Sequence, residues 1–158
     1  MRASERVQAA LDAKGLGIRV IEFPESTATA AQAAAAAGCP LGAIVKSLLF
    51  LIDGQPVLVL VAGDRMADPR SIGVRFGVGK KKVRLADAET VKNVTSYEVG
   101  GVPPLGHPIA LRVLIDDSLR RFDTVWAAAG TCNAVFPIAF LQLVEITSGE
   151  VASVVAQA

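Results

Sequence analysis

Three groups of residues in this chain have types and spacings that suit chemistry. Lys46 stands near the start of IVKSLLFLIDGQPVLVLVAGD, residues 44–64, a stretch otherwise almost wholly apolar on both sides of Asp53-Gly54. An ammonium there costs free energy unless it snorkels to water, meets a counter-charge or serves an incoming anion. The second group is the basic run GKKKVR, with Lys80, Lys81, Lys82 and Arg84. Such a run is a solvated loop or a set of phosphate contacts to a polyanion. The third is YEVGGVPPLGHP, residues 97–108, too rich in Gly and Pro for helix or strand. Glycines let backbone amides approach a ligand and prolines hold them in place, which suits an oxyanion or amino-acid pocket as well as it suits a tight crossover loop. AAAGTCN adds a strand-end turn at Gly130, Thr131 and Asn133, read either as turn chemistry or as pocket lining.

Several other chemistries find no foothold. The one histidine, His107, lies between Gly106 and Pro108 in the Gly-Pro loop, and no G-x-S-x-G elbow accompanies it. Gly79-Lys80 is followed by lysine, where a phosphate-binding loop needs Ser or Thr, and no GxGxxG follows a strand pattern. Cys39 and Cys132 are far apart and have no partners at metal spacing, so two reduced thiols, no metal site and no cofactor are expected. A net charge of +1 means that any nucleic-acid contact must come from a local patch.

The elements that must position these groups follow from pattern and punctuation. With 158 residues the chain is expected to form a single domain over 1–158. Hydrophobic residues make up 52% and mean hydropathy is +0.46, but no apolar run reaches the length of a membrane span and the N-terminus lacks a secretory pattern. A cytoplasmic location with no membrane partner is expected. SERVQAALDAKG reads as a helix capped by Ser4, IRVIEF as a strand, and TAAQAAAAAG as a helix with a Thr29/Gln32 capping box. Residues 44–52 and 56–62 form a hairpin around Asp53-Gly54. Both faces of its first strand are apolar, so that strand is central, with Lys46 close to one end. Two short helices follow at DPRSIGVRFG and LADAETVKNV, then strands at IALRVLID and TVWAAAG, a helix opening at Pro137, and an edge strand at EVASVV. Helices and strands alternate irregularly around a hairpin, which favours a mixed α/β sheet.

The order VKSLLF, hairpin, VAGD, then GGVPPLGHP, then WAAAG and a final helix resembles the YbaK/EbsC family of aminoacyl-tRNA deacylases, relatives of the editing domain of prolyl-tRNA synthetases. The resemblance spans nearly the whole chain. It implies an α/β (α+β) fold with a mixed, largely antiparallel, barrel-like sheet flanked by helices, and a trans-editing hydrolase that deacylates mischarged tRNA. Lys46 matches the family's strand lysine, its principal functional residue. Gly100, Gly101, Val102, Pro103 and Pro104 match its G-x-x-x-P loop, and Gly130 its strand-end glycine. Members acting on cysteinyl-tRNA(Pro) often carry an acidic residue shortly after that glycine, where this chain has TCNAVF, so alanine, serine, threonine and cysteine all stay open as the amino acid removed. The expected partners are the acceptor end of an aminoacyl-tRNA, most naturally tRNA(Pro), and prolyl-tRNA synthetase, with no DNA. Within this reading Lys80, Lys81, Lys82 and Arg84 meet tRNA phosphates, and a Cβ added at Gly101 intrudes on the amino-acid pocket and strains a positive φ. A non-catalytic module that binds aminoacyl-tRNA or a synthetase is the alternative.

Overall fold

A computed structural model describes residues 1–156; residues 157–158, the end of the expected single domain, lie outside the described residues. The elements run α1 (Ala3–Ala13), β1 (Ile21–Glu22), α2 (Ala30–Ala37), β2 (Ile44–Ile52), β3 (Gln55–Ala62), α3 (Pro69–Phe76), β4 (Val83–Leu85), α4 (Ala88–Thr95), β5 (Arg112–Asp116), β6 (Thr124–Ala128), β7 (Ala134–Ala139), α5 (Phe140–Thr147) and β8 (Glu150–Ala152). Pairings between β1 and β7, β2 and β3, β2 and β4, and β6 and β7 are antiparallel. Those between β2 and β6, β3 and β5, and β5 and β8 are parallel. Antiparallel pairs therefore predominate slightly in one mixed sheet. Its order β1-β7-β6-β2-β3-β5-β8, with β4 also on β2, is an open path, not a closed barrel.

The hairpin organises the molecule. Asp53 and Gly54 both take positive φ, 50° and 82°, as a two-residue turn matched to the strand twist requires. β2 and β3 are then buried on both faces. Val45, Leu49, Leu58 and Leu60 pack with Val7 and Leu11 of α1, while Phe50, Val59 and Val61 pack with Ile72 of α3 on the other side. The Thr29/Gln32 capping box is present, and Gly38 ends α2 in the left-handed region at φ 70°.

Three expectations are corrected. Ser4 does not cap α1: the helix starts at Ala3 with Arg2 at the cap position, two residues before the expected cap, and the buried Ser4 hydroxyl donates instead to Glu22 at 3.0 Å. IRVIEF is a strand only at Ile21–Glu22. Upstream of it the Gln8 side chain takes the backbone groups, donating to the Ile18 carbonyl at 2.9 Å and accepting from the Val20 amide at 2.8 Å, so these need no ladder partner. The last helix opens at Phe140 rather than Pro137, which belongs to β7. β1 pairs β7 only at residues 134 and 135, so Pro137 has a neighbouring strand on one side only, where a strand tolerates proline. β4 carried no pattern of its own in the sequence; it is a three-residue strand completed by pairing with the far half of β2.

Candidate active site in a gap of the sheet

β2 has β3 along its whole length on one edge. On the other edge it pairs with β6 at Ile44 and Val45 and with β4 at Phe50 to Ile52. Between these two partners the edge is open. A cleft of about 250 Å³ lies there. Its lining includes Lys46, Ser47 and Leu48 from β2, Ala30 and Ala33 from α2, Thr27 ahead of that helix, Val99, Gly100 and Val102 from the Gly-Pro loop, and Trp126 from β6. Small side chains dominate the α2 wall, because only an alanine-rich helix can approach β2 so closely.

Lys46 is partly buried, and its ammonium donates to the Arg65 carbonyl at 2.5 Å. Burial pushes this ammonium below the usual lysine range, and the nearby Asp64 carboxylate opposes that shift. Asp64 is itself held in a fork by Arg121, at 2.7 and 3.0 Å. The Arg121 hydrogen bond keeps the Asp64 carboxyl below its ordinary value. The turn after β3 thus holds Lys46 from behind. It fits because Gly63 has no side chain: a Cβ there would stand 2.4 Å from the Leu41 carbonyl oxygen. An ammonium has three donors, and with one given to Arg65 the others remain for an incoming oxygen or phosphate.

The Gly-Pro loop and the strand-end turn meet as a unit. The Gly130 amide donates to the Gly101 carbonyl at 2.9 Å. Gly100 lies in the left-handed region at φ 92°, as do Gly106 and Gly130; Gly101 does not. A Cβ on Gly101 would instead lie 3.0–3.1 Å from the backbone of Gly130 and Thr131, so the expectation of intrusion and positive-φ strain at Gly101 is corrected to crowding against the neighbouring turn. Of the expected binding residues, Gly100 and Val102 reach the cleft. Gly101, Pro103 and Pro104 are buried behind them, with Pro103 accepting a hydrogen bond from His107 Nε2 at 2.7 Å. Burial pushes the His107 imidazole below its ordinary value, and that hydrogen bond opposes the shift.

Gly130, Thr131 and Asn133 also stand behind the lining. Thr131 donates to Asn133 Oδ1 at 2.9 Å, and Asn133 Nδ2 donates to the Phe23 carbonyl at 3.0 Å. The Cys132 carbonyl accepts from the Thr27 amide at 2.6 Å. This turn positions residues 23–27 along the cleft. Lys80, Lys81, Lys82 and Arg84 are all exposed, on the 3-10 turn leading into β4 and on β4 itself. The register of β4 on Phe50 to Ile52 places Arg84 roughly 17 Å from Lys46 along β2, and Lys80, Lys81 and Lys82 precede Val83, which is opposite Ile52 at roughly 20 Å.

Sequence reasoning missed Thr27, Ser47, Asp64 and Trp126. Ser47 is adjacent to Lys46, and Asp64 closes the VAGD segment, so both had a signal. Thr27 and Trp126 reach the cleft only through tertiary pairing. Among the described residues no group of three or more His, Cys, Asp or Glu is arranged to hold a metal, and both cysteines are free. No helix among them is long and apolar enough to cross a membrane.

The profile of the aminoacyl-tRNA editing domain matches residues 24–146, and the chain belongs to that family. It is an aminoacyl-tRNA deacylase. The uncharacterized protein YwhH of Bacillus subtilis (strain 168) is 37% identical over 133 residues, 84% of this chain and 83% of that protein. A proline–tRNA ligase of Lactobacillus helveticus is 32% identical over 97 residues, which cover 61% of this chain but only 17% of the ligase. A crystal structure of a candidate trans-editing enzyme for prolyl tRNA synthetase superposes with a TM-score of 0.92 at 37% identity, covering 99% of each chain.

Proposed function

We propose that residues 1–158 act as one editing domain that hydrolyses, in trans, the ester between a small amino acid and the terminal ribose of tRNA(Pro), the amino acid being alanine, cysteine, serine or threonine. The observation that carries this reading is the Lys46 ammonium, partly buried in a small, mostly apolar cleft and held by one carbonyl with donors to spare. An aminoacyl ester is already activated, so positioning and charge stabilisation accomplish most of what a nucleophile would otherwise supply. Lys46 binds the terminal phosphate or the ester carbonyl and stabilises the charge that develops as water adds. That water is activated by the free ribose hydroxyl of the substrate or by backbone groups of the cleft. Gly100 and Val102 confine the aminoacyl group directly. Gly101, Pro103, Pro104 and Gly130 hold that wall in place, and Thr131 and Asn133 hold the segment opposite.

The likeness to a proline–tRNA ligase and to a candidate trans-editing enzyme for prolyl tRNA synthetase supports tRNA(Pro) as the carrier. The exposed Lys80, Lys81, Lys82 and Arg84 supply phosphate contacts to the acceptor stem. Deacylation of tRNA(Pro) charged in turn with alanine, cysteine, serine, threonine and proline tests the reading. Release of at least one small amino acid with prolyl-tRNA spared is expected, and rapid hydrolysis of prolyl-tRNA would overturn it.

A further inference from the structure

Two hydroxyl oxygens in the cleft have no hydrogen-bond partner although both are enclosed: Thr27 Oγ1 and Ser47 Oγ, the two buried side-chain polar atoms left unpartnered among the described residues. Thr27 is only 4% exposed, and both residues line the cleft that holds Lys46. A buried hydroxyl without a partner costs free energy, and such groups are rare enough in folded proteins to demand a reason. Neither residue is there by accident of a loose loop. The Thr27 backbone is pinned to Cys132 at 2.6 Å, and Ser47 lies within β2.

Strand geometry adds a third element. The Ile44 carbonyl accepts from Gly63, on the β3 side, and the Leu49 carbonyl accepts from Ala86, on the other side. Backbone polar groups alternate along a strand, so the amide and carbonyl of Ser47 face the open stretch of β2 between β6 and β4. The backbone amide and carbonyl of Ser47 are therefore directed at the gap that the substrate enters, and the residue itself lines the cleft.

Resting on the reading that this cleft receives the aminoacyl end, we propose that the Thr27 and Ser47 hydroxyls select an amino acid bearing a hydroxyl of its own, serine or threonine, over alanine and cysteine. Each protein hydroxyl can both donate and accept, as can the substrate's, so a neutral substrate hydroxyl is a matched partner for either. The α-ammonium of the substrate is the poorer partner. It is common to every aminoacyl ester, and it would be placed in the same cleft as the Lys46 ammonium, where like charges repel. The threonine methyl finds Ala30, Ala33 and Val102 around it. A cysteine thiol is a weak donor and acceptor and leaves the two oxygens poorly paired.

The test uses the full chain with Thr27→Val, which keeps the shape, and separately Ser47→Ala. The measured quantity is the ratio of kcat/KM for seryl- and threonyl-tRNA(Pro) to that for alanyl-tRNA(Pro). In the wild type this ratio exceeds one. In each variant it falls by about 5- to 150-fold, the range a lost pairing to a buried polar group gives. Thermal melts of both variants without substrate match or exceed wild type, because an unpartnered oxygen has been removed. An unchanged ratio, or a wild type that prefers alanine, overturns the selection. A wild type that hydrolyses none of these esters overturns the editing reading itself, and the selection falls with it; hydrolysis of all with an unchanged ratio overturns the selection alone.

Discussion

Lysines occur in two regions of this molecule under opposite conditions. Lys46 is fixed at one point of a sheet, partly buried, with a carbonyl behind it and Asp64 nearby. Lys80, Lys81 and Lys82 are exposed on a 3-10 turn, and Lys82 makes one loose contact to Asp53 at 3.8 Å. The proposed function gives the same side chain two physical purposes. In the cleft a single charge of defined position would act where solvent screens it weakly; on the turn, several charges of no defined position would act together on a polyanion and be screened by salt. In that reading position carries the chemistry, and number carries the attraction.

Exchanging lysine for arginine should affect the two regions most unequally. Lys46→Arg keeps the charge but replaces a compact ammonium with a planar fork that the pocket behind β2 does not fit. We expect deacylation to fall by about 10²- to 10³-fold, the loss typical of a misplaced charge-stabilising donor. The same exchange at Lys80, Lys81 and Lys82 together should leave the rate on tRNA within about twofold. Equal sensitivity in the two regions would erase the distinction.

Next in size is Gly101→Ala. Its Cβ would stand 3.0–3.1 Å from the backbone of Gly130 and Thr131, which cannot yield as a side chain tip does. Overpacking of this kind costs about 1–3 kcal/mol, read as a lowered denaturant midpoint. Loss of activity should then be shared by all aminoacyl groups. A change in amino-acid preference at full stability would return Gly101 to the pocket lining.

Neutralising Lys80, Lys81, Lys82 and Arg84 should flatten the dependence of tRNA binding on log salt by up to about 3.6 units of slope, at about 0.9 per phosphate contact. Hydrolysis of a minimal aminoacyl-nucleoside ester should not change. An unaltered slope would make the run a solvated turn.

The smallest effect concerns His107. Its pKa is lowered by burial in the folded protein, so the unfolded chain binds the proton more readily. Stability attributable to neutral His107 is therefore complete above the ordinary histidine value of about 6.5 and declines as pH falls below it, levelling off under the folded value. Melts of wild type and His107→Gln between pH 7.5 and 5 should converge or cross as this penalty disappears in the variant; parallel curves would contradict it.

Much of this was legible in the chain itself wherever the signal was local. Asp53-Gly54 dictates its turn, Thr29 and Gln32 cap each other, and Asp68 and Asp87 open their helices. Lys46 could be singled out because a charge in an apolar strand is anomalous on its face. What escaped depends on distant partners. β7 was hidden because Pro137 suggests a helix start, and only its place beside β6 makes a strand of it. IRVIEF alternates like a strand, yet Gln8 satisfies its backbone before the sheet can. The clamp behind Lys46 joins Asp64 to Arg121, 57 residues apart in the chain, and the open stretch of β2 exists only because β6 stops short and β4 starts late. A gap has no residue of its own in a sequence.

Single-turnover deacylation of mischarged tRNA(Pro) by wild type and Lys46→Ala, with melts of both, decides whether the Lys46 ammonium carries the chemistry. Lys46→Ala should be folded with a melting temperature near wild type, since removing a partly buried charge offsets the packing lost with its stem. Its chemical step should be slower by at least about 100-fold. A folded Lys46→Ala protein that releases the amino acid at close to the wild-type rate would contradict that role.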